Sequence, residues 1–132
     1  MMIQGINWIA VALGAVFSMI LGTLWYGPLF GKLWMRLINK KAEELESNPA
    51  MYVITFITAF IGSFVLAILV NSLGITSWYW GLVAGAVVWL GIGFTGLVST
   101  SIFNETKFGV VLLFGIYQLI VYLVEGLVFA IW

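Results

Sequence analysis

The chain has no cysteine, no histidine and no aspartate, and its ionisable side chains are confined to five Lys or Arg and five Glu. Each absence removes a chemistry. Without Cys or His there is no thiolate or imidazole metal site, no Cys nucleophile, no disulfide and no neutral-pH histidine switch. The formal net charge is zero, and no basic stripe can follow a nucleic-acid backbone, so no nucleic-acid partner is expected. No cofactor and no metal are expected either. Charged residues make up 8% of the chain, whereas a soluble domain carries about a quarter. That composition belongs to the membrane class and nearly excludes soluble-enzyme chemistry.

What the chain has in quantity is apolar sequence, 64% of 132 residues. Four long runs, residues 6–30, 50–73, 78–103 and 108–132, each meet the length of about 20 residues that a transmembrane helix needs. The expected fold is an all-α integral membrane protein: one four-helix transmembrane domain over residues 1–132, with membrane lipids as its surroundings. The first run has no basic n-region and no small-residue cleavage site, and Trp25-Tyr26-Gly27-Pro28 at its end reads as a membrane boundary. It is expected to be a retained helix, not a cleaved signal.

Charge is concentrated in residues 31–46. There Leu33, Trp34, Leu37, Ile38 and Leu45 can share one face, with Lys32, Arg36, Lys40, Glu43 and Glu44 largely opposite. This predicts a short amphipathic helix lying in the headgroup region, with Lys40 and Glu44 as a surface pair. Asn48-Pro49 follows as a cap and first-turn proline for the second helix. Lys32, Arg36, Lys40 and Lys41 precede that helix, and Lys107 precedes the fourth, so every Lys and Arg falls on one side of a four-helix chain. The positive-inside rule then places both connections in the cytoplasm and both termini outside the inner membrane.

Small residues recur every four positions in two helices. Ala10, Gly14, Ser18 and Gly22 form one stripe, and Thr55, Ala59, Ser63, Ala67 and Asn71 form another. Such spacing lets a second backbone approach closely. It predicts packing inside the chain or an interface between copies, a homo-oligomer with a dimer favoured. Gly81, Gly85, Gly91, Gly93 and Gly96 make the third helix thin, with Trp89 as its one bulky post. Gly14-Ala15-Val16 and Gly85-Ala86-Val87 hint at a two-plus-two parallel repeat.

The fourth run carries Glu125 where lipid is expected. Gly115, Gln118, Tyr122, Glu125 and Phe129 fall at steps of three and four, which is one narrow stripe of a helix. A carboxylate near mid-membrane costs about 2.5–3.5 kcal/mol, so this face is expected to point at protein or water. Asn71, Asn7 and Trp80 are expected at similar depth, with Asn71 or Asn7 as hydrogen-bond donors to the acid.

Asn7-Trp8, the stretch Leu24-Trp25-Tyr26-Gly27-Pro28-Leu29-Phe30-Gly31-Lys32-Leu33-Trp34-Met35, then Trp89-Leu90-Gly91, Phe103-Asn104-Glu105, Gly115-Ile116-Tyr117 and Trp132 resemble a bacterial family catalogued as domain of unknown function 1761. The resemblance covers essentially the whole chain and implies a four-helix integral membrane protein. It carries no activity and assigns no catalytic or binding residue.

Three functions compete. The first is transport of a small solute or ion by a homo-oligomer, with Glu125 binding a proton or cation and Tyr122 and Gln118 beside it. The second is a module that binds an apolar molecule or lipid, lined by Trp89, Phe94, Tyr117 and Tyr122, with Glu125 holding a polar head. The third is an accessory subunit of a membrane complex. An enzyme is not expected, because Glu125 has no second acid or base beside it.

Overall fold

The structure, a computed structural model, describes residues 5–45 and 48–132. Glu46, part of the charged segment, lies outside them. All regular structure among the described residues is helical. α1 is Trp8–Leu24, α2 Gly31–Ile38, α3 Pro49–Ser72, α4 Trp78–Val88, α5 Thr95–Phe103 and α6 Phe108–Ile131. Four stretches are long and apolar enough to cross a membrane: Trp8–Leu29, Pro49–Ser72, Trp78–Phe103 and Phe108–Ile131. They agree with the four runs to within two residues, the boundaries being set by caps and breakers. Asn7 Oδ1 accepts the Ala10 N–H at 3.1 Å, and Asn48 Oδ1 accepts the Met51 N–H at 3.1 Å with Pro49 in the first turn.

α6 is the central element. It touches α1, α2, α3, α4 and α5, and 33% of its apolar stretch is buried against 11% of the third span. The third span packs on it almost backbone to backbone. A Cβ on Gly81 would run into the Gly126 carbonyl, and one on Gly85 into the Tyr122 carbonyl. In lipid, where no hydrophobic force drives helices together, this close fit is what supplies attraction.

The first and third spans each contain a π-helical turn, Trp25–Leu29 and Trp89–Phe94. In the first, Pro28 has no N–H to continue the α pattern, and the Phe30 N–H reaches back five residues to the Trp25 carbonyl at 2.9 Å. Both turns read Trp-x-Gly-x-x-Phe, and in both the two rings meet: Trp25 with Phe30 at 4.5 Å, Trp89 with Phe94 at 4.8 Å. Both indoles then donate to α6, Trp25 Nε1 to the Leu113 carbonyl at 3.0 Å and Trp89 Nε1 to the Gly115 carbonyl at 2.9 Å. The likeness between these spans therefore lies in the two π-turns. The Gly-Ala-Val triplets do not share a setting: Gly14 faces Ser63 and Glu125, and Gly85 faces α6 backbone.

The amphipathic helix is shorter than its pattern suggests. α2 ends at Ile38 because Asn39 adopts a left-handed conformation, φ 57°, which stops a helix. Lys40 and Glu44 consequently do not share a helix, and Glu44 Oε1 instead accepts the Lys41 N–H at 3.3 Å in a separate short turn, Ala42–Glu44. α2 is held to the bundle by Leu37, which lies against Gly109, and by Trp34, edge-on to Tyr26 at 4.9 Å.

Candidate functional site

Glu125 lies on α6, 3% exposed, between α1 and α3. Gly14 supplies its space. A Cβ there would sit 2.6 Å from Ser63 Oγ and 3.3 Å from Glu125 Cδ, so glycine, serine and carboxyl occupy one contact. The Ser63 hydroxyl, 1% exposed, donates to the Val11 carbonyl at 2.9 Å. A hydroxyl has one hydrogen, so Ser63 turns only lone pairs toward anything else. Glu125 Oε2 is buried with no hydrogen-bond partner among the described residues. A buried acceptor left in that state costs about 1–3 kcal/mol.

The polar stripe of α6 is divided between neighbours. Gly115 lies under Phe94, and a Cβ on Gly93 would meet Gln118 Oε1 at 3.3 Å and Tyr122 Cε2 at 3.4 Å, so these residues face the third span. Gln118 Nε2 is 3.5 Å from the Tyr122 hydroxyl, and Gln118 Oε1 is buried without a partner. Glu125 faces the first and second spans instead, and Phe129 packs there against both buried clusters of α1, α3 and α6. Tyr122 and Gln118 thus share a helix with Glu125 but not its chamber.

The other expected residues are placed as follows. Asn7 caps α1, and Asn71 is exposed near the end of α3, its side chain beside Gly5. Ser63 is a polar side chain that the fold sets against Glu125. Trp89 spends its N–H on the Gly115 carbonyl and stacks on Phe94. Ala10 is buried and Gly14 and Gly22 face α3 or α6 of the same chain, while Ser18 bonds to Tyr117. Ala67 is buried beside Val11, Ala59 is half-buried on the same helix, and Gly81 and Gly85 meet α6.

Between Glu125 and the charged connections lies a bonded pair that the stripes did not reveal. The Tyr117 hydroxyl donates to the Ser18 carbonyl at 2.7 Å, and Ser18 Oγ stands 3.0 Å from the same hydroxyl. Tyr117 precedes Glu125 by eight residues, about 12 Å along the helix. Two adjoining cavities, of about 610 and 480 Å³, open on the charged side of this pair. The signal for them was faint: Tyr26 read as part of a membrane boundary, and nothing in one helix's period shows that another leans away.

Residues 9–130 match a family model described as "Protein of unknown function (DUF1761)". No curated protein and no solved structure matches the chain.

Proposed function

The chain belongs to the DUF1761 family, and we propose that it moves a small solute or ion across a membrane as a homo-oligomer, without being an enzyme. In this reading Glu125 is the group that takes up and releases a proton or cation. One observation carries it. One carboxyl oxygen is buried with no hydrogen-bond partner among the described residues, and the four spans contain no Lys or Arg to neutralise it. A protein that merely needed packing there would keep an apolar side chain, since intramembrane acids are expensive. The chamber lies within one protomer, so oligomerisation is assigned to the third span, the least covered of the four, where Gly91 and Gly96 have open space beside them. The charged connections are placed in the cytoplasm and the termini outside, from the one-sided Lys and Arg. A second reading, a binding module for an apolar molecule, is favoured by the two cavities.

The test is flux in liposomes carrying an internal pH dye, with an imposed gradient of Na⁺, K⁺ or an organic cation. The wild-type protein should move protons against at least one of them. Glu125→Gln keeps the shape but has no titratable proton, and should remove that movement while leaving the thermal unfolding in detergent within a few degrees. Equal flux from wild type and Glu125→Gln would end this reading.

A further inference from the structure

The charged end of the bundle is not filled. α3 leans away there, leaving Met51, Tyr52, Val53, Ile54 and Ile57 exposed, and the two cavities occupy the gap between it and α1, α5 and α6. They share Tyr26, Trp34, Tyr52, Thr55 and Phe114, so they are lobes of one cleft. Each lobe, about 610 and 480 Å³, is in the range of sites for drug-sized molecules, about 300–1,000 Å³. One wall is a chain of rings in edge contact: Trp34 on Tyr26 at 4.9 Å, Tyr26 on Tyr117 at 6.1 Å, Tyr117 on Phe114 at 5.8 Å. Each ring fixes the next, so the wall is set before anything binds.

Among the described residues no Lys, Arg or Glu lines either lobe. Three of the hydroxyls that line it have given their hydrogens to their own helices: Thr55 to the Met51 carbonyl at 2.7 Å, Ser101 to the Val98 carbonyl at 2.7 Å, Thr23 to the Met19 carbonyl at 2.9 Å. What these groups turn outward is lone pairs, and aromatic faces carry negative quadrupole density as well. A cavity walled by ring faces and by these acceptor oxygens, with no Lys or Arg among the described residues of its lining, favours positive charge on a weakly hydrated body. On the far side of the Tyr117–Ser18 pair stands Glu125, the one acid in the four spans.

From this we infer that the cleft binds a lipophilic organic cation, of the quaternary ammonium or arylphosphonium kind, held by Tyr26, Trp34, Tyr52 and Phe114. That such a cation is also the solute exchanged at Glu125 rests on the function proposed above; its binding in the cleft does not. Tyr117 and Ser18 form the floor where the ligand stops before the acid.

The experiment is calorimetric titration of the full chain in lipid nanodiscs with tetraphenylphosphonium, and in parallel with neutral triphenylphosphine oxide. The cation should bind at least ten-fold more tightly than the neutral compound. Trp34→Leu and Tyr26→Leu should each weaken the cation ten-fold or more. Tyr52→Leu, on the exposed face of α3, should weaken it as well and serves if either of the others fails to fold. Equal affinity for cation and neutral compound would show a cleft that takes any hydrocarbon, lipid chains included, and would overturn the inference. So would unchanged cation affinity in a folded Trp34, Tyr26 or Tyr52 variant. Glu125→Gln separates the two claims: loss of proton movement with retained cation binding supports both, and retained proton movement ends the exchange reading while the titrations decide the cleft.

Discussion

The two helical hairpins of this bundle use small residues for opposite ends. Between the third span and α6, Gly81, Gly85 and Gly126 let backbone meet backbone, with no room for a single added carbon. Between α1, α3 and α6, Gly14 and Ser63 make room for a side chain, and that side chain is Glu125. The first contact maximises dispersion and fixes the pair as one rigid unit. The second holds a polar chamber whose walls are side chains, not backbone. Farther along, the first hairpin opens into the cleft, and the second stays closed around Phe94 and Gly115. One protein thus carries a fixed half and an adaptable half.

The strongest way to break the comparison is Gly85→Leu. Its neighbours are the Tyr122 and Leu123 backbone, which cannot turn aside, so the substitution should cost more than about 4 kcal/mol and leave no monodisperse protein in detergent. A folded Gly85→Leu with near-normal thermal unfolding would mean the third span does not sit as described. Gly14→Leu should hurt less, by about 1–3 kcal/mol, since it meets the ends of Ser63 and Glu125. The protein should remain purifiable with a lowered melting temperature and an unchanged oligomeric mass, because this stripe faces inward. A shift to monomer would show the stripe lies between copies. The smallest effect is expected within the third span itself. Gly96→Ala has open space beside it and removes a flexible residue from a helix, so it should stabilise by about 0.5–1 kcal/mol. If Gly96→Ala instead splits an oligomer without lowering the melting temperature, that face is the one that copies share.

The limits of one-dimensional reading show at particular residues. Asn48-Pro49 and the apolar run lengths could be read directly, because caps and spans are local. Glu125 stood out because a charge in a span is conspicuous whatever surrounds it. Asn71 and Asn7 were matched to it by depth, but depth is one coordinate of three. The asparagines cap or adjoin helix ends at the periphery, and Ser63, placed in a packing stripe by its spacing, is the residue that faces the acid. The α6 stripe faces protein as expected, but it is divided between two neighbours. A stripe some 80° wide is one face of a lone helix, yet it is wide enough to straddle two neighbours.

Sequence by itself determined that this chain has four helices long and apolar enough to cross a membrane, where each starts and stops, and that a single acid travels with the fourth. Those follow from lengths and transfer costs that each segment incurs alone. Tertiary structure decided which glycines are contacts and which are openings, that two tryptophans clamp the same helix, and that α3 stands away to leave a cleft. Those depend on where other helices stand, and in lipid that is settled by fit between surfaces, which no single segment contains.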